Sequence, residues 1–138
     1  MSLRAFRALS PEGLARVLQF IRAHSSAKER TRDKTLLGFL YHCRLSIPAL
    51  CSLTTSGIVL KDISVSQGGR MTTMTLSGEA RHALHHWLKK RKMLALTFPP
   101  KADPEAVWVN SEGRPLRASD VRALVRRYLK LAVVADGA

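Results

Sequence analysis

Apolar residues recur along this chain with two different periods, and the switch between them divides it. Leu14, Val17, Leu18 and Ile21 fall at helical spacing. Ser10-Pro11-Glu12 opens that helix well: Ser10 can cap, Pro11 is preset for the first helical position, and Glu12 complements the dipole. His24-Ser25-Ser26-Ala27 breaks the pattern, and a second helix is predicted from about Arg30 to His42, with Leu36, Leu37, Leu40 and Tyr41 facing inward. Pro48 suits the first turn of a short third helix over Ile47 to Leu53, which Thr54-Thr55-Ser56-Gly57 ends. Ile58-Val59-Leu60 and Ile63-Ser64-Val65 then read as strand. Ser66-Gln67-Gly68-Gly69-Arg70 is turn chemistry, and Met71 to Leu76 alternates behind it, a β-hairpin signal.

Helical spacing returns at Ser77-Gly78-Glu79-Ala80 and continues through Leu84, Trp87 and Leu88 to about Lys92. Phe98 to Pro104 is a loop, Ala106-Val107-Trp108-Val109 a short strand, and Asn110 to Pro115 a turn. Ser119-Asp120 is the predicted cap of a last helix with Val121, Leu124, Val125, Tyr128 and Leu129 on one face. The order is helices, small sheet, helices. This is an α+β fold class: a mainly helical single domain, 1–138, with a small antiparallel β-sheet.

At 138 residues and 46% apolar content the chain can bury a real core, which argues against disorder. No apolar run is long enough to span a bilayer, so no membrane partner is expected. Met1-Ser2-Leu3-Arg4 is not followed by the apolar region of a secretory signal. Charge changes the picture more. A formal charge of +13 makes nucleic acid the leading partner, ahead of an acidic membrane surface or an acidic protein. Aromatics are only 6%, so a stacking platform for single strands is poorly supplied and double-stranded DNA is the better fit. Cys43 and Cys51 lack metal-type spacing and read as free thiols in a reducing cytosol.

One segment carries a resemblance. Phe39-Leu40-Tyr41-His42-Cys43-Arg44-Leu45-Ser46-Ile47-Pro48-Ala49-Leu50 resembles, without a gap, the Leu-Leu-Tyr-x-Thr-Gly-Leu-Arg-Ile-Ser-Glu-Leu segment of tyrosine recombinases, the phage-integrase family. Leu9-Ser10-Pro11-Glu12 is similar to the Leu-Thr-Pro-Glu opening of that family's catalytic domain, and Arg32-Asp33-Lys34-Thr35-Leu36-Leu37 to its Arg-Asp-x-Ala-Leu-Leu. Val109 to Leu116 is similar to the strand and turn before its penultimate motif. The resemblance covers about 9–132, the first half of the family's catalytic domain.

What the resemblance implies is a DNA integration and recombination fold with an altered site. In the family an Arg grips the scissile phosphate; here its place falls on Ser46. A guanidinium fork suits phosphate oxygens as charge builds, and a hydroxyl offers one donor and no charge. Losing one such donor typically costs roughly a hundred- to a thousand-fold in rate. Arg44 lies nearby, at the family's loop Gly. The family's hairpin Lys, which protonates the leaving 5′-oxygen, falls on Gln67, and an amide supplies no proton at neutral pH. Arg70 is close but is a poor proton donor. The sequence stops where the family would add His-x-x-Arg, a second His or Trp, and the nucleophilic Tyr. Tyr128 reads as a core residue rather than a nucleophile. The catalytic set is therefore expected to be empty, with no cofactor.

The remaining candidates bind rather than react. Arg114, Arg117, Arg122, Arg126, Arg127 and Lys130 lie on or just before the last helix. Arg122 and Arg126 stack like charges at i, i+4, which makes sense if an anion lies against them. Lys89 and Lys90, in the run Lys89-Lys90-Arg91-Lys92, read equally as phosphate contacts or as a solvated, dipole-complementing helix end. Arg44 and Arg70 complete the DNA-binding candidates. His82, His85 and His86 share one helix, yet no carboxylate or Cys completes a metal site, and none is expected.

Three functions remain open at this point. The first is a degenerate recombinase-like DNA binder, cytoplasmic and nucleoid-associated, either a mobile-element remnant or a regulator pairing with an active recombinase. The second is a fragment of a longer integrase that cleaves and rejoins DNA. The third is a homodimerising interaction module.

Overall fold

The computed structural model describes residues 3–137, with side chains to Leu131; Met1 and Ser2, on which the reading of the chain's start partly rests, and Ala138 lie outside that range. Six α-helices and three strands follow in order among the described residues: α1 Leu3–Arg7, α2 Pro11–His24, α3 Arg30–His42, α4 Ile47–Cys51, β1 Ile58–Val59, β2 Asp62–Gln67, β3 Arg70–Thr75, α5 Gly78–Leu94 and α6 Ala118–Gly137. Helix α1 had no counterpart in the sequence reading, and the other helices match it to within a few residues.

Three helices start on a serine doing one job. Ser10, Ser46 and Ser77 sit in extended backbone and each accepts a backbone N–H three residues on, from Gly13, Ala49 and Ala80. Helix α6 differs. Its first residue is Ala118, and the Asp120 carboxylate accepts the Arg117 N–H at 2.8 Å. The expected Ser119-Asp120 cap is thus corrected: Arg117 holds the cap position, and Asp120 reaches back to it from the third helical residue.

The sheet is an antiparallel meander in the order β1-β2-β3. Gly68 and Gly69 join β2 to β3, both at positive φ (61° and 79°), as a two-residue turn of the primed type demands. Ile63 and Val65 alternate inward from β2, while β3 is mostly exposed. The sheet is tied to α4 by Ser52, whose hydroxyl donates to Ala49 O and accepts the Ser66 N–H at 2.9 Å. Leu60, predicted as strand, instead turns the chain at φ 57° and is exposed.

The predicted strand Ala106–Val109 is also corrected. It forms only isolated bridges, Thr54 with Ala106 and Val109 with Pro115. The reason lies in where its carbonyls go. Arg91 Nε donates to Ala106 O at 2.7 Å, Trp87 Nε1 to Val107 O at 2.8 Å, and Arg32 Nη1 to Val109 O at 3.1 Å. Leu116 N donates to Trp108 O at 2.9 Å. Side chains from α3 and α5 have replaced a ladder, so the segment bends through the core at Val107 and Trp108 without a neighbouring strand. The turn that follows depends on Gly113, at φ 77°, where a Cβ would lie 2.6 Å from both Ala102 and Phe98.

One core cluster joins these elements, from Phe6 of α1 through Leu36, Leu37 and Leu40 of α3 to Trp87, Trp108, Val125 and Tyr128. Trp108 meets Phe39 edge-on at 5.7 Å. No described helix is long and apolar enough to cross a membrane.

Candidate nucleic-acid interface

The two positions on which the resemblance bears most, Ser46 and Gln67, are both neutral. Ser46 caps α4: its hydroxyl accepts the Ala49 N–H at 3.2 Å. Gln67 ends β2 at the hairpin tip, exposed, with Arg70 directly across the ladder. Neither side chain carries a charge.

Tyr128 is fully buried, and its hydroxyl donates to Asp33 Oδ2 at 2.9 Å. Burial, with the Asp33 carboxylate beside it, pushes its pKa well above the ordinary phenol value. A phenol that must stay protonated to satisfy a buried carboxylate is a poor nucleophile. The same carboxylate pairs with Arg32, whose guanidinium also reaches Glu29 at 3.0 Å and Val109 O. Burial holds the Asp33 carboxyl above its ordinary value, and Arg32 and Tyr128 offset only part of that. Arg32, Asp33 and Tyr128 therefore form an internal polar hub tying α3, α6 and the 106–109 segment together.

The basic candidates separate into groups. Arg122, Arg126 and Lys130 are exposed at four-residue intervals, a continuous cationic stripe along α6. Arg127 turns away from it and donates to His24 O at 3.1 Å, satisfying a carbonyl at the end of α2. Arg114 is exposed and pairs with Glu112 at 3.6 Å, and Arg117 sits at the entrance to α6. Arg70 is exposed at the hairpin tip. Lys89 is exposed and Lys90 half-buried on α5, which packs against α3, whereas α6 packs against α2 and α4.

Arg91, within the same basic run, is buried and takes Asp103 O at 2.8 Å as well as Ala106 O, so it serves the fold. Its place four residues after Trp87, on the buried face of α5, was the available sequence signal. His82, His85 and His86 are all exposed, and the described residues contain no group of three metal-capable side chains. Cys43 and Cys51 are free and half-buried, and burial raises both thiol pKa values.

Arg44 is exposed at φ 54°, the left-handed region that favours glycine. It lines an open pocket with Leu3, Arg4, Arg7 and Ala8. The sequence reading did not weigh Arg4 and Arg7. Their i, i+3 spacing on α1, which sets both on one face, was the one clue.

A chain of helices around a three-stranded meander, with an internal Arg-Asp-Tyr hub and a basic last helix, has the fold of the tyrosine-recombinase catalytic domain. The XerA recombinase crystal structure superposes with a TM-score of 0.71 at 20% identity, covering 91% of this chain and 43% of that one. The XerH recombinase bound to its difH substrate, a pre-cleavage complex, gives 0.69 at 21% identity, covering 90% and 36%. A lambda integrase dimer bound to a COC′ core site gives 0.63 at 16% identity, covering 90% and 33%.

Residues 7–136 match the Phage integrase family, and the chain belongs to that family. Among curated relatives it is similar to the tyrosine recombinases XerC of Corynebacterium glutamicum, 30% identical over 115 residues, and of Thermodesulfovibrio yellowstonii, 27% over 108. These alignments cover 81% and 76% of this chain but only 35% and 36% of the relatives, so the chain spans about a third of their length.

Proposed function

We propose that this chain is an integrase-type domain that binds the backbone of double-stranded DNA and does not itself cleave it. The observation that carries the reading is the stripe Arg122, Arg126 and Lys130, exposed on one helix of a recombinase fold in a chain of charge +13. Like charges at this spacing destabilise an isolated helix slightly, and a duplex phosphate track offsets that repulsion. The inactive part of the reading rests on three residues. Ser46 stands where the family's phosphate-gripping Arg falls and is committed to a helix cap. Gln67 stands where the proton-donating Lys falls, and Tyr128 is committed to Asp33. Partners of such a domain are duplex DNA together with a second copy or an active recombinase, in a cytoplasmic, nucleoid-associated setting.

The test is fluorescence anisotropy of a labelled duplex over a salt series, beside a cleavage assay on a nicked suicide substrate. Binding should weaken steeply with salt, by about one power of salt concentration for each phosphate contacted, with no covalent adduct. An adduct through any tyrosine of this chain would sink the inactive reading. Duplex binding absent at low salt would sink the binding one.

A second reading has its own support in the relatives' lengths: the chain corresponds to part of a longer integrase whose other segments complete the site. Sequencing the transcript beyond Ala138 separates the two, since a downstream His-x-x-Arg and Tyr would favour the longer enzyme.

A further inference from the structure

Arg4, Arg7 and Arg44 surround an open pocket of about 350 Å³ whose lining holds no acidic side chain. Arg7 is fixed in place. Its Nε donates to Leu40 O at 2.9 Å, and its other arm reaches Leu45 O, so it clasps the end of α3 to the loop before α4. Arg44 lines the same pocket. Arg7's pKa is lowered by burial first and by the Arg44 charge second. Such a cluster is repulsive unless an anion joins it.

Arg44 adds a second, independent cost. It holds φ 54° on an exposed loop, where glycine would sit without strain. A strained backbone that places a charge beside two others is the kind of local sacrifice that binding sites make. We propose that Arg4, Arg7 and Arg44 form an oxyanion pocket that holds one phosphate group, with Arg7 as its fixed floor and Arg4 and Arg44 as its arms. Guanidinium forks suit phosphate oxygens geometrically as well as electrostatically. The ligand is a phosphate in either of two forms, a backbone phosphodiester of DNA or a small free phosphate. The site goes beyond the duplex-binding reading and stands on its own geometry.

The test is calorimetric titration of the whole chain with inorganic phosphate at constant ionic strength, for wild type, Arg4→Ala and Arg44→Gly. Arg7 is left alone because it braces the fold. Wild type should bind, and each variant should weaken binding by about tenfold or more, the usual size for a hydrogen bond to a charged group. Arg44→Gly should meanwhile raise the melting temperature, by about 2–4 °C, because it relieves both the strained φ and the repulsion. Lost affinity with gained stability is the signature of a binding residue, and a structural role would move both the same way. Wild type that ignores phosphate, or undiminished binding in either variant, overturns the pocket.

Repeating the titration with saturating duplex separates the sources. Competition assigns the pocket to a DNA phosphate, and unchanged binding assigns it to a free phosphate compound. Phosphate binding without any duplex binding would remove the proposed function and leave the pocket standing, whereas duplex binding without phosphate binding would do the reverse.

Discussion

Two arginine clusters in this molecule use one side chain for opposite ends. In the interior, Arg32 and Arg91 are buried, and each has carboxylates beside it: Glu29 and Asp33 pair with Arg32, while Asp103 and Glu105 support the charge on Arg91. At the α3–α4 loop, Arg7 also spends donors on main-chain carbonyls, but its charged neighbour is another arginine. The interior cluster is answered from within the chain: burial lowers the Arg91 pKa, and the Asp103 and Glu105 charges offset part of that. The loop cluster is unfinished, and its unanswered charge makes it the better candidate to meet something from outside. The α6 stripe resembles the loop cluster in this respect, since Arg122, Arg126 and Lys130 are exposed along one face.

The hardest blow to that contrast comes from Asp33→Ala. It leaves the buried Arg32 guanidinium, whose side chain is 4% exposed, with only the more exposed Glu29 carboxylate as its counter-charge, and removes the acceptor of the Tyr128 hydroxyl. Breaking one side of a buried pair costs about 3–5 kcal/mol, to be read from urea unfolding. Duplex affinity of the remaining folded protein should not change. A loss under about 1 kcal/mol would mean the hub behaves like a surface pair, and the interior cluster would no longer count as answered from within.

Next in size is a matched pair of variants that remove one arginine from each region. Arg91→Met leaves Ala106 O and Asp103 O without their donors and should cost about 1–3 kcal/mol of stability, with the salt dependence of duplex binding intact. Arg126→Ala should do the reverse, leaving stability within about 0.5 kcal/mol while the salt slope falls by about one. If Arg91→Met flattened the slope, the basic run Lys89–Lys92 would have to be read as an interface after all.

These arginines also mark where sequence stops informing. Ser10 and Ser77 were legible as helix starts because a cap is a contact within four residues, whereas the Ser46 cap emerged only from the structure. The hairpin was legible because Gly68-Gly69 dictates its own turn. The segment Ala106–Val109 was misread as a strand, since its residues are strand-like and its carbonyls are claimed by side chains 15 to 77 residues away. Charge pattern showed that the protein is basic, and the α6 spacing showed one stripe. It could not show that Arg91 and Arg127 turn to main-chain carbonyls while Arg44 shares a pocket with Arg4 and Arg7, because each of those outcomes is decided by a distant element.

The smallest effect tests the carboxylate behind Arg91. The Asp103 side chain accepts the N–H of Glu105 at 2.7 Å and of Ala106 at 2.9 Å, closing the turn that feeds the buried segment. The Ala106 N–H, then the Glu105 N–H, hold its carboxyl below the ordinary value of 3.8. A pKa lower in the folded than in the unfolded chain means that the unfolded chain binds the proton more readily. The stabilisation is therefore present above the unfolded value and drains away as pH falls through the folded one. Wild type and Asp103→Asn, compared by urea midpoint from pH 6 down to about pH 3, should differ by a constant amount above about pH 5 and converge below about pH 4. The gap should stay under about 1 kcal/mol, because the carboxylate lies near solvent and is screened. A gap that held constant down to the lowest pH would show that shape and hydrogen bonding, rather than charge, close this turn. The carboxylates around Arg91 would then contribute geometry alone, and the interior would differ from the loop pocket less in electrostatics than in packing.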